Sequence, residues 1–170
     1  MSAWLGLSIA VPLGIGLGTS FGALRPGASE WHIRLRKPTY NAPHAALLPV
    51  FCLLYTLQGI ASYLVANEMV VPHKTPELVA ARAGHLGLGF YWLQLTFLVF
   101  WPPLLAYGPS LKLAIADIAV STLFQLLAIV QFFRLTVAGG LVMLLCFFAT
   151  AALTAWNAAL IKSSRAPPSY

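Results

Sequence analysis

LGLGFYWLQLTFLVFWPPLLAY, residues 86–107, decides the fold. A helix of this length covers about 33 Å at 1.5 Å per residue, enough to cross a hydrocarbon layer of about 30 Å. None of its residues is charged. Pro102 and Pro103, directly after Trp101, would ordinarily stop a helix, because proline lacks an N–H and its ring collides with the carbonyl four residues back. Here they leave the carbonyls of Leu98 and Val99 without helical partners. Spans tolerate this where neighbouring groups meet the freed carbonyls. The prolines are therefore read as a bend in the last third of a span, one that aims Trp101 into a pocket between the helices. The alternative is a bend that only eases packing.

Composition extends this reading to the whole chain. Hydrophobic residues make up 59% of the 170 residues and charged residues 8%, against about 25% charged in soluble domains. Mean hydropathy is +0.82. The expected fold class is an all-α membrane protein, a five-transmembrane-helix bundle forming one domain over residues 1–170. The spans fall at about 3–24, 45–66, 86–107, 111–133 and 135–161. Membrane strands would alternate apolar and polar residues in segments of about ten, and no such pattern occurs. The N-terminal stretch MSAWLGLSIAVPLGIGLG has no basic leader and stays apolar too long for a signal-peptide core, so it is expected to be a retained first span. Cys52 and Cys146, each inside an apolar run without metal-ligand spacing, are expected to be buried free thiols.

Ten basic residues against four acidic ones give a net charge of +6. Scattered among apolar runs, they report topology and attraction to anionic headgroups rather than nucleic-acid binding. Arg25, Arg34, Arg36, Lys37, Lys112, Lys162 and Arg165 fall on one side of the five spans, and Lys74, Arg82 and Arg134 on the other. The excess places the first loop and the C-terminus in the cytosol. That loop, RPGASEWHIRLRKPTYNAPH at about 25–44, is long for a bundle connection, and its prolines, Trp31 and Tyr40 suit an ordered lid. The second, about 67–85, is polar, with a short helix expected after Pro76. The remaining connections are short, so spans three, four and five should be sequential neighbours.

Within the spans a few residues stand out. Gly14, Gly18 and Gly22 form a GxxxGxxxG row that permits close helix approach. Its partner is expected inside the bundle, the alternative being a second subunit. The fifth span carries a comparable row, Ala151, Ala155 and Ala159. Asp117 is the only acidic residue inside a span. It is either a pocket or proton-linked residue, or the maker of a structural hydrogen bond, for example a cap at the start of the fourth span. Gln58, Gln94, Gln125, Gln131 and Asn157 read as interhelical glue, and tryptophans near span ends as interfacial anchors. No nucleophile–base pair, phosphate loop or metal motif appears, and His32 and His44 lack ligand spacing; no metal and no cofactor is expected.

Several of these residues together resemble the translocator protein family, also called the TspO or peripheral-type benzodiazepine receptor family. The resemblance rests on Trp31, Lys37, Pro38, Tyr40, Pro43, Tyr55, Gly59, Ser62, Tyr63, Leu64 and Val65, then on Trp101-Pro102-Pro103, Asp117 and Asn157. It covers nearly the whole chain and implies a membrane-embedded binding and transport or signalling protein. Its implied ligands are hydrophobic and planar: porphyrin or haem-type tetrapyrroles, cholesterol or other sterols, and benzodiazepine-type synthetic compounds. The implied pocket lies beneath the first loop, with Trp31 and Pro43 as lid and His44 beside them. Tyr55, Trp101 and residues near Phe148 would supply apolar surface, and Asp117 and Asn157 polar handles.

The resemblance further implies a homodimer surrounded by membrane lipid, in the outer mitochondrial membrane or another internal membrane. It carries two rival functions, a porphyrin-degrading enzyme using Trp31 and Trp101 in light, and a scaffold that recruits partner proteins. The chain departs from the family pattern at Ala42, Leu98, Leu113 and Phe148 or Ala149. Ala158 stands where the family's C-terminal cholesterol motif has a tyrosine. The lost aromatics imply altered affinity for flat synthetic ligands.

Overall fold

All five expected spans form helices in the computed structural model, which describes residues 2–24, 44–70, 76–108 and 110–165. They are α1 (Ser2–Leu24), α2 (His44–Val70), α3 (Glu77–Tyr107), α4 (Leu111–Leu135) and α5 (Val137–Arg165). Each is long and apolar enough to cross a membrane, and no strand occurs among the described residues. α1 packs on α2 and α3, α3 on α4, α4 on α5, and α5 on α2, so the helices close a ring in the order α1–α2–α5–α4–α3. α2 also meets α3 and α4 across the middle. The sequential pairing of α3 with α4 and of α4 with α5 is the one the short connections demand.

The third helix begins well before the expected residue 86. Pro76 caps it, its carbonyl accepting from the backbone N–H groups of Val79 and Ala80 at 2.9 Å, and Glu77 in the first turn suits the positive end of the helix dipole. The short helix expected after Pro76 is therefore the opening of α3 itself. Ala80, Ala83, Gly84 and Gly87 make a buried stripe there, with Gly84 against Met69 of α2 and Gly87 against Phe132 of α4. Hydropathy placed the boundary too late because Arg82 and His85 dilute the apolar average, while the stripe of small residues carries the packing.

At the other end, α3 runs through Pro102 and Pro103 to Tyr107, and the Gly108 N–H closes on the Leu104 carbonyl at 2.9 Å. The prolines do not stop the helix. Tyr107 donates to the Gly22 carbonyl of α1 at 3.0 Å, tying the two chain segments together at the first-loop end.

The GxxxGxxxG row turns the other way from the expected one. Gly14 and Gly18 are exposed, Gly22 is half-buried, and a Cβ on any of them would meet nothing within 4 Å. The buried face of α1 is Pro12, Gly16, Ser20 and Ala23. Gly16 lies under the Tyr55 ring, and Gly59 of α2 lies against the backbone of Ser8 and Ile9. These two glycines, rather than the row, let α1 and α2 approach closely. Of the alanine row in α5, Ala155 is exposed.

Halfway through the bundle the helices are pinned by polar side chains. Gln94 of α3 donates to Gln58 of α2 at 2.9 Å, and Ser121 of α4 donates to the Gln94 carbonyl at 2.8 Å. Thr150 of α5 donates to Gln125 of α4 and to the Cys146 carbonyl. Gln58, Gln94 and Gln125 are thus interhelical links, as expected, whereas Gln131 accepts from Arg134 on its own helix at 3.2 Å. Both cysteines are free, Cys146 buried and Cys52 half-buried.

Gln94→Leu should lower stability by about 1 kcal/mol, because it strands the Gln58 carbonyl oxygen in an apolar interior. The Gln58→Leu/Gln94→Leu double variant should cost clearly less than the sum of the single changes. Reversible unfolding in mixed micelles measures all three, and strict additivity would show that the pair does not interact.

Candidate functional site

The first-loop end of the bundle gathers the carboxyl ends of α1, α3 and α5 and the amino ends of α2 and α4. One level below that end, four aromatic rings lie in series. Tyr55 stacks on Phe51 with centroids 6.0 Å apart. Phe51 meets Trp101 at 6.1 Å, and Trp101 meets the edge of Trp156 at 6.1 Å and 66°. Tyr55, Phe51 and Trp101 are fully buried. Local sequence explains the placement. Phe51 and Tyr55 are one turn apart on α2, so both reach the same side. Gly16 leaves room for the Tyr55 ring, whose hydroxyl faces Ser20 of α1.

Polar atoms are interleaved with the rings. Trp101 Nε1, Trp156 Nε1, Asp117 Oδ2 and both amide atoms of Asn157 are buried without a hydrogen-bond partner among the described residues. Asn157 is fully buried. The pairing of Gln125 with Thr150, and the 3.4 Å approach of Thr122 to Thr154, set the antiparallel register of α4 and α5. That register puts Asp117 within one helical turn of the level of Asn157. Each unmet polar atom in such surroundings costs about 1–3 kcal/mol, and buried donors and acceptors in proteins are normally met by protein, water or ligand. The layer therefore offers two indole donors, one carboxylate and one amide to whatever enters it, between faces of aromatic carbon.

One form of the structural reading of Asp117, a cap at the start of α4, is excluded by the geometry. Ser110 caps α4, its hydroxyl accepting from the Lys112 N–H at 3.2 Å. Asp117 lies well inside the helix and is no cap. Asn157 has no partner on a neighbouring helix and so departs from the glue expected of it.

Trp31 and Pro43 lie outside the described residues, as does the side chain of His44, whose backbone opens α2. Tyr55, Trp101, Asp117 and Asn157 belong to the one layer. Phe148 does not: it is 61% exposed on the outer face of α5, while its neighbour Ala149 packs against the core. Adjacent helical residues point about 100° apart, and on α5 that turn carries Phe148 outward while Ala149 faces the core. Phe51 and Trp156 are members that reading the sequence missed. Trp156 was taken for an interfacial anchor, yet its place next to the single asparagine of the fifth span was a signal that it borders the interior.

Comparison with known proteins agrees with this architecture. The model of the TspO/MBR family matches residues 8–165. The translocator protein of Homo sapiens is 31% identical over 114 residues, covering 67% of this chain and 62% of the human protein. The translocator protein of Ovis aries is 30% identical over 105 residues, 62% of this chain and 56% of that one. The translocator protein of Bos taurus is 28% identical over 117 residues, 69% and 63%. The chain thus spans less than two thirds of the length of these relatives. With the family match running through all five helices of the ring, the chain belongs to the TspO/MBR family.

Proposed function

We propose that the aromatic layer is the ligand site of a membrane-embedded binding and transport or signalling protein for planar hydrophobic molecules. Tetrapyrroles of the porphyrin and haem type are its first ligand class, with sterols and benzodiazepine-type compounds as further classes. The observation that carries this reading is the coincidence of a series of contacting aromatic rings with unpartnered buried polar atoms in one layer. Apolar walls with a few convergent polar groups are the usual make-up of a small-molecule site. Trp31 and Pro43 serve as the lid, with His44 among the ligand-binding residues, and the first loop and C-terminus face the cytosol. Ala149, a small side chain packed against the core on α5, in place of an aromatic one, shifts selectivity among flat ligands. The protein acts as a homodimer in the outer mitochondrial membrane or another internal membrane.

The test is a titration panel of protoporphyrin, haem, cholesterol and an isoquinoline carboxamide against the detergent-solubilised chain, followed by tryptophan quenching or displacement. Protoporphyrin should bind saturably, and Asn157→Leu should weaken it about tenfold through loss of a hydrogen bond to a charged group. An unsaturable isotherm, or one that Asn157→Leu leaves in place, rejects the assignment.

A further inference from the structure

At the end of the bundle opposite the first loop, α3 and α4 enclose a cleft of about 440 Å³. Leu78, Val79 and Leu86 supply its apolar wall, and Arg82, Arg134 and Gln131 its polar side. Among the described residues no carboxylate lines it. The sequence places only Lys74, Arg82 and Arg134 on this side of the membrane, and two of these three share the one cleft. Arg134 is held toward it by donation to Gln131 at 3.2 Å.

Depth matters as much as charge. α3 has 31 residues, about 46 Å at 1.5 Å per residue, so it outruns a hydrocarbon layer of about 30 Å. Arg82 lies within its first two turns, and Arg134 in the last turn of α4. Both guanidiniums therefore stand at headgroup level. Leu78 is 87% exposed and Val79 51%, leaving apolar surface immediately beside the charges. The helix dipole favours a cation at the end of α4, which accounts for Arg134 alone. It does not account for Arg82, from the first turns of another helix, facing the same cleft.

We infer that this cleft binds the phosphate of an anionic phospholipid, Arg82 and Arg134 taking the phosphate oxygens while Leu78, Val79 and Leu86 receive the start of an acyl chain. Guanidinium forks match phosphate geometry and basic pockets between membrane helices suit such headgroups. The site lies in the leaflet remote from the first loop and is separate from the aromatic layer.

Native mass spectrometry of the full chain in neutral detergent tests the inference, with dioleoyl phosphatidylglycerol and dioleoyl phosphatidylcholine in equal amounts. The unaltered chain should retain the anionic lipid with at least about fivefold preference. Arg82→Gln and Arg134→Gln should each reduce that retention roughly fivefold, with phosphatidylcholine unaffected and thermal unfolding without lipid unchanged. Lys112→Gln, at the other end of α4, should leave the preference intact. Equal retention of the two lipids by the unaltered chain overturns the proposal without any variant. So does a double glutamine variant that keeps the preference. Stabilisation by glycerol 1-phosphate as strong as that by the lipid would also overturn it, making the cleft a soluble-anion site.

Discussion

Gly59→Val is expected to drive α1 away from α2 and to lower the stability of the bundle by about 3 kcal/mol or more. A Cβ at position 59 would stand 2.5 Å from the Ser8 carbonyl oxygen and 2.7 Å from the Ile9 Cα. Both are backbone atoms of the neighbouring helix, so no rotamer change relieves the collision. Overpacking of a core usually costs about 1–3 kcal/mol when side chains can adjust; here they cannot. Gly18→Val is the control. It meets open space, and its effect should stay within about 0.5 kcal/mol, apart from the small cost or gain of valine in a lipid-exposed helix. Unfolding in mixed micelles followed by circular dichroism compares the two. Equal midpoints would mean that α1 does not pack on α2 as described. The consequence reaches the site, because α1 supplies Gly16 beneath Tyr55 and Ser20 beside its hydroxyl.

The contrast between Gly59 and Gly18 also explains which parts of the fold could be read in advance. Span number, class and order were legible because a run of apolar residues of membrane length has few other uses. The rotation of each helix was not. Lipid and protein interior are equally apolar, so the hydrophobic pattern of α1 has no wet side to orient it, and the longer glycine row drew the eye to the wrong face. The orienting signal was polar. Ser20, Gln58, Ser62, Gln94, Ser121, Gln125, Thr150 and Asn157 are all buried, because a polar side chain inside a membrane is cheaper against another helix than against lipid. Taking Ser20 as the inward mark of α1 puts Pro12, Gly16 and Ala23 on the same face, as observed.

The candidate residues were legible in the sequence to differing degrees. Tyr55, Trp101, Asp117 and Asn157 were singled out by motif or by polarity, and all four lie toward the first-loop end of the bundle, Tyr55 and Trp101 in the series of rings and Asp117 and Asn157 with unpartnered buried atoms. Phe148 failed because a position inferred from a missing aromatic carries an uncertainty of one residue, and one residue turns a helical side chain by about 100°. Trp156 was passed over because a tryptophan near a span end has a common interfacial use. Its contact with Trp101 and its packing against the core show the ring facing inward.

Trp101→Ala should have the second large effect, and its two components have opposite consequences for binding. Removing a fully buried indole that touches Phe51 and Trp156 leaves a cavity and costs about 3–5 kcal/mol of stability. It also deletes one stacking face and one unpartnered donor from the layer, which weakens a planar ligand. The vacated volume, however, could admit such a ligand more deeply. Trp101→Phe separates the terms, since it retains an aromatic ring and most of the packing while removing Nε1. If the layer binds protoporphyrin as proposed, Trp101→Phe should weaken it roughly fivefold, the worth of one hydrogen bond of about 1 kcal/mol. Trp101→Ala should weaken it further despite the added room, because stacking contributes about 0.5–1.5 kcal/mol beyond buried area. The other tryptophans remain as fluorescence reporters in both variants. Affinity equal to that of the unaltered chain in both would place the ligand elsewhere. Tighter binding by Trp101→Ala than by Trp101→Phe would instead identify Trp101 as a plug that closes the layer, with Pro102 and Pro103 holding it in place rather than presenting it to the ligand.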